Sequence, residues 1–190
     1  LESGLWPWFP GGRGDEYITL YIMTGFGRMR HLGVQELDMN LAMRSLHALD
    51  SWMHRNYREI MKSPHPEEYM LGSTDALYLY GRSFFLKDQP IAKGHQEAVN
   101  FYLKQAKKFW LNVGSRQSQG HLAIGLKRFG DKETPVAIMN SLKEHSVNEE
   151  EMGMFWRDTE RSWWWYRAPI ETQALMVEAF DEVMGDAQAV

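Results

Sequence analysis

The sequence predicts an all-α chain, and three observations predict it. About seven stretches carry apolar residues at helical spacing, and no stretch alternates long enough to make a confident strand. Two aromatic loops each feed directly into a helix. The first is Gly4-Leu5-Trp6-Pro7-Trp8-Phe9-Pro10-Gly11-Gly12, which runs into Asp15-Glu16-Tyr17-Ile18-Thr19-Leu20-Tyr21-Ile22. The second leads from Gly153-Met154-Phe155-Trp156 through Trp163-Trp164-Trp165-Tyr166 into Pro169-Ile170-Glu171-Thr172-Gln173-Ala174-Leu175. The recurrence reads as a repeat. Helical hairpins joined on one side by such loops build a closed or partly closed α/α toroid.

Each element has its own signals. Asp15 or Glu16 opens the first helix, where an acidic residue suits the positive dipole end. Ile18, Tyr21, Ile22, Phe26, Met29 and Leu32 keep helical spacing, and Gly33 is a natural stop. Gly25 and Gly27 inside it cost about 1 kcal/mol each against Ala, which points to close approach by a neighbouring helix. Asp38 caps a second helix to about Lys62, on Met39, Ala42, Leu46, Leu49, Met53, Tyr57 and Ile60, and Pro64 and Pro66 follow.

Ser73-Thr74-Asp75 opens a shorter helix to about Leu86, and Lys87-Asp88-Gln89-Pro90 is a turn. A helix from about His95 to Val113 carries Val99, Leu103, Ala106 and Trp110, and Gly114-Ser115 breaks it. The next runs from about Gln117 to Phe129 with Gly120 and Gly125 as small residues. Thr134-Pro135 starts another, with Pro in the first turn, to about His145. The acidic stretch Asn148 to Glu151 and the Trp-rich loop read as a short hairpin, and a last helix spans Pro169 to Met184.

Composition excludes several functions. At 190 residues the chain is one domain with a real core, with no internal boundary between 1 and 190. No apolar run approaches the roughly 20 residues of a membrane-spanning helix, so direct membrane insertion is not expected. A net charge of -4 without a basic run argues against nucleic acid as a partner. The absence of cysteine removes disulfides, zinc–thiolate sites and a cysteine nucleophile together. The chain begins at Leu1 without an initiator Met and reads as a piece of a longer protein.

Three segments together resemble the thioester-containing domain of the α2-macroglobulin and complement superfamily, in its bacterial branch. The opening Gly-Leu-Trp loop with Tyr17-Ile18-Thr19-Leu20-Tyr21-Ile22 is similar to that family's Gly-x-Trp loop and first helix. Gln119-Gly120-His121-Leu122-Ala123-Ile124-Gly125-Leu126 with Phe129-Gly130-Asp131 resembles its small-residue inner helix. Met154-Phe155-Trp156 through Ile170-Glu171-Thr172-Gln173-Ala174-Leu175 resembles its closing Trp loop and last helix.

The resemblance spans nearly the whole chain and implies a terpenoid cyclase/prenyltransferase-like α/α toroid. With fewer than the family's dozen helices, this would be a partial or open ring. The implied function is that of a scaffold within a bacterial protease-trapping protein, an endopeptidase inhibitor and not an enzyme. Its implied partners are other domains of the same parent chain and the parent's target proteases, in a periplasmic or lipid-anchored envelope protein. That family's Cys-Gly-Glu-Gln thioester lies N-terminal to the Gly-x-Trp loop. This chain has no Cys, so either the motif lies upstream or the parent belongs to the thioester-less members.

The residues themselves offer few alternatives. Trp6, Trp8, Phe9, Trp156, Trp163, Trp164, Trp165 and Tyr166 form a candidate contact surface, because a run of four aromatics cannot bury every ring on one side. The plainer reading has them sealing one end of the helical ring. Asp15, Glu16, Asp158, Glu160 and Glu171 lie at loop ends near these aromatics. There they would serve a carbohydrate-active toroid enzyme, a glycoside hydrolase or lyase, as paired carboxylates. Helix capping and pairing with Arg13, Arg157, Arg161 or Arg167 explain them more simply. His47 and His54 sit two turns apart with no completing carboxylate, so no metal and no cofactor is expected. Arg13-Gly14-Asp15 is read as a chance tripeptide at a helix start.

Overall fold

The computed structural model describes residues 4–157 and 169–185. Within them the chain is mostly helical, with seven α-helices and one small antiparallel hairpin. The helices are α1 (Glu16–His31), α2 (Met39–Ile60), α3 (Ser73–Ser83), α4 (Lys93–Phe109), α5 (Arg116–Arg128), α6 (Thr134–Glu144) and α7 (Pro169–Ala179). The hairpin pairs β1 (Val147–Glu149) with β2 (Gly153–Phe155), Val147 facing Phe155, and the acidic residues 149–151 are exposed around its turn.

Local chemistry sets the helix starts. The Asp15 carboxylate accepts from the Ile18 N–H at 2.9 Å, and Asp38 accepts from Asn40 at 3.1 Å. Ser115 Oγ accepts from the Ser118 N–H, and Asp131 accepts from Glu133 and Thr134. At the other end of α1, Arg28, Arg30 and His31 complement the negative dipole end. Gly33 then turns the chain at φ +89, a conformation that favours glycine.

Most helices fall where periodicity placed them, with shifts at the ends. Helix α4 starts two residues earlier than expected and tightens into a 3-10 turn at Trp110–Asn112. Helix α7 stops being α-helical at Ala179 and finishes as a π-helical turn, Phe180–Met184.

Burial separates two kinds of helix. In α5 every residue from Ser118 to Leu126 is buried, and α3 is nearly as enclosed. Helices α2, α4 and α6 bury one face each, as amphipathic outer helices do. Packing follows the same division: α1 lies on α3, α3 on α5 and α5 on α7, while α2 covers α1, and α6 covers α5.

The four odd-numbered helices run parallel. Thr24 of α1 meets Gly81 of α3, and Gly27 meets Phe84 one turn on. Tyr80 of α3 stacks on His121 of α5, and Ser83 meets Arg128. Gly120 of α5 meets Leu175 and Met176 of α7, and Arg128 meets Glu182 beyond its end. Helix α2 returns in the opposite direction, with Arg55 pairing with Glu16 at 3.1 Å.

Glycine makes these close crossings. A Cβ on Gly27 would lie 2.7 Å from the Phe84 ring, and one on Gly125 would lie 3.2 Å from the α3 backbone at Leu79. Gly25, expected to mark a close approach as well, has nothing within 4 Å of where its Cβ would be. It faces open space instead.

Candidate functional site

That open space is a cleft of about 170 Å³ bounded by α1, α3, α5 and α7. Tyr17, Tyr21, Thr24, Gly25 and Arg28 line it from α1, and Ser73, Leu77 and Tyr80 from α3. Ser115 lines it from the cap of α5, with Gln117, Ser118 and His121 along that helix. Glu171 and Leu175 line it from α7.

Polar bridges join α1 to α7 and to the turn that follows it. Tyr21 Oη donates to Glu171 at 3.3 Å, and Arg28 pairs with Glu178 at 3.3 Å. His31 lies 3.7 Å from Glu182. The steps along α1 and α7 match, seven residues between the first two bridges and three or four to the third. That spacing places the first two about 10 Å apart along the helix axes. The cleft lies between Tyr21–Glu171 at one end and Arg28–Glu178 at the other.

Glu178 is the hub of the deeper end. It accepts from Tyr80 Oη at 2.7 Å and from Arg128 at 3.2 Å as well as pairing with Arg28. Burial, then the neighbouring Glu178 charge, push the Tyr80 hydroxyl well above its usual range, so it stays a protonated donor. Burial and Glu171 raise Tyr21 in the same direction.

His121 faces this group from α5. Its ring stacks on Tyr80 at 4.7 Å between centroids and 25° between planes. Burial first, and the Arg28 charge second, push its pKa down to about 3, so the ring is neutral near pH 7. Its Nδ1 is buried with no hydrogen-bond partner. Buried polar atoms are rarely left so, because each costs roughly 1–3 kcal/mol.

The aromatic residues anticipated as one contact surface occupy different environments. Trp8 and Phe9 are exposed, at 52% and 68%. Trp6 is half-buried: its backbone N–H donates to Thr19 Oγ1, while its carbonyl accepts from the Asp15 N–H. Trp156 belongs to the core instead of the surface. It is 2% exposed, donates its indole N–H to the Leu142 carbonyl at 2.8 Å and stacks on Phe180. Trp163, Trp164, Trp165 and Tyr166 lie outside the described residues.

The anticipated carboxylates separate in the same way. Asp15 is consumed as the α1 cap, which also accounts for the Arg13-Gly14-Asp15 tripeptide, and Glu16 pairs with Arg55. Asp158 and Glu160 lie outside the described residues, as do Arg161 and Arg167. Among the described residues lining the cleft, Glu171 is the one carboxylate. Among the described residues no pair of carboxylates lines the cleft.

His47 and His54 of α2 are joined by His95 from the start of α4, whose ring lies 5.5 and 5.4 Å from theirs. The three rings make a row along two turns of α2, with Ser51 Oγ 3.4 Å from His95 Nε2. Burial is the main cause lowering the His95 pKa, and His54 and His47 add to it. Among the described residues, the triplets with ligating atoms close enough for one ion are His31–Glu178–Glu182 and His65–Glu67–Glu68. In the first, Arg28 and Arg128 already neutralise the acids.

Sequence reasoning missed Arg28, Tyr80, His121 and Glu178. A signal was present: Tyr21 and Arg28 repeat at seven residues on one helix, as Glu171 and Glu178 do on another. Such a match marks polar stripes that can face each other. No protein-family model matches the chain, and no curated protein does.

Proposed function

We propose that this chain is a segment of an α/α toroid and serves as scaffold in a bacterial α2-macroglobulin-like protease-trapping protein. The observation that carries the reading is the set of four parallel helices α1, α3, α5 and α7 with amphipathic helices outside them. Chains that alternate inner and outer helices in this way build toroids by adding hairpins, and this one contributes three hairpins and a closing helix. The exposed Trp8 and Phe9 then form a contact with a neighbouring domain of the parent, since exposed aromatics beside each other mark interaction surfaces. Among the described residues the cleft carries one carboxylate, Glu171, where glycoside hydrolysis needs two, and this supports the scaffold reading. No described helix is long and apolar enough to cross a membrane.

The test uses the parent protein incubated with an endopeptidase. A trapped protease keeps cleaving a short chromogenic peptide while losing activity on a large protein substrate. Unchanged activity on both overturns the reading. The intact mass of the parent before and after methylamine then separates the two forms of trap. Conversion of an internal thioester adds one methylamine and exposes a free thiol, whereas an unchanged mass assigns capture by enclosure alone.

A further inference from the structure

We propose that the cleft between α1, α3, α5 and α7 is a binding site for a neutral, polyhydroxylated molecule the size of one monosaccharide ring. The inference goes beyond the scaffold reading and does not depend on it.

Size is the first argument. An apolar cavity of roughly 150 Å³ admits a six-carbon ring, and this cleft offers about 170 Å³. The space is set by Gly25, whose position leaves nothing within 4 Å in the direction a side chain would take. A long side chain there would enter the cleft. The neighbouring glycines, by contrast, are each occupied by a facing helix.

Charge is the second. The cleft's cation and anion each have a partner already, Arg28 with Glu178 and Glu171 with the Tyr21 hydroxyl. Arg28 is the one cation among the described residues lining the cleft, so an anionic ligand would have to displace its bridge to Glu178. The cleft is also lined by the hydroxyls of Ser73 and Ser118 and the amide of Gln117. Such groups both donate and accept, as the hydroxyls of a sugar require.

The third argument is His121. Its ring is nine-tenths buried, neutral, and carries the unpartnered Nδ1. A neutral imidazole offers one donor and one acceptor, and a ligand hydroxyl can serve either.

The experiment is a titration of the full chain with D-glucose and, separately, N-acetyl-D-glucosamine, followed by the ¹⁵N resonances of the His121 ring. A saturable shift of those resonances by either sugar is expected. Gly25→Leu, whose side chain enters the cleft, should weaken the apparent affinity at least tenfold, read on the same resonances. His121→Phe keeps a ring on Tyr80 while removing both nitrogens. Followed by intrinsic fluorescence, it should weaken binding and leave the circular dichroism unchanged. Equal shifts by glucose and maltose would assign the terminal unit of a glycan, and a response to glucose alone would assign free sugar.

No shift at saturation of either monosaccharide overturns the proposal. So does an undiminished response in Gly25→Leu, or a response to glucuronate or inorganic phosphate in place of the neutral sugars. Should Gly25→Leu fail to fold, Leu175→Phe narrows the same cleft from α7.

Discussion

The α3–α5 seam and the α1–α7 seam join parallel helices by opposite chemistry. Between α3 and α5 the backbones approach at Gly125, and Leu79, Leu122 and Ile124 are fully buried around the crossing. Between α1 and α7 the contact is made by side-chain bridges: Tyr21–Glu171, Arg28–Glu178 and His31–Glu182. The first seam excludes water and has one packing solution. The second leaves space, and that space is the cleft. The four helices are thus tightly packed on one side and leave space on the other.

The contrast extends to ion pairs, and the largest expected effect tests it there. Arg82 is fully buried, donating to Asp50 at 3.0 Å and to the Gln89 carbonyl at 2.7 Å, while Tyr78 also donates to Asp50. Asp50→Ala strands that guanidinium and should cost about 3–5 kcal/mol in urea unfolding. Arg28→Ala at the open seam removes a pair whose cation is 36% exposed and should cost about 1 kcal/mol or less. Equal losses from the two variants would erase the distinction between the seams.

Acid should expose the next difference. His121 has a folded-state pKa of about 3 against an ordinary 6.5, so the unfolded chain takes up a proton that the folded chain refuses. Its contribution is fully present above pH 6.5 and is lost as pH falls from there toward 3. The loss is about 1.4 kcal/mol per pH unit within that window, or roughly 2 kcal/mol by pH 5. Comparing urea midpoints of the native chain and His121→Phe at pH 7 and pH 5 isolates it. The variant should show a shallower pH dependence, and parallel curves would place His121 outside the buried cluster.

Two glycines on one helix give a smaller effect with opposite signs. Gly27→Ala drives a methyl into Phe84, which cannot swing freely because Arg128 lies 4.0 Å over its ring and His31 packs against its edge. A net loss on the order of 1 kcal/mol should remain after the gain in helix propensity. Gly25→Ala meets nothing and should gain up to about 1 kcal/mol. Thermal melts of the two variants, side by side, read the signs directly.

The same pair of residues shows what was legible in the sequence. Helix positions, the capping by Asp15 and Asp38, and the acidic hairpin all followed from local patterns that leave a trace every three or four residues. Glycine inside a helix was rightly read as unusual, and Gly27, Gly120 and Gly125 do sit at close crossings. Gly25 carries the same letter for the opposite reason, because the letter records a missing side chain and not what fills its place. Trp156 failed for a related cause. Its loop looked like Trp6-Pro7-Trp8, yet its indole found the Leu142 carbonyl and a buried seat against Phe180. The cleft was illegible because it depends on residues from four helices that come together only in the fold. Only the matching seven-residue steps of Tyr21–Arg28 and Glu171–Glu178 prefigured it.

The smallest expected effect falls at the mouth of the cleft. Tyr21 is 42% exposed, and its hydroxyl reaches Glu171 at the long distance of 3.3 Å. Tyr21→Phe keeps the ring and removes only that bond, so stability should change by no more than about 0.5 kcal/mol. Its structural consequence is larger than its energetic one. With the bond gone, Glu171 keeps Gln117 as its near neighbour, at 3.5 Å, and α1 and α7 remain joined by Arg28–Glu178 and His31–Glu182. Amide hydrogen exchange should therefore quicken in the first turns of α1 and α7 while the α3–α5 seam stays unchanged. Faster exchange in α3 and α5 as well would mean that the two seams open together, and that the polar bridges hold the whole set closed.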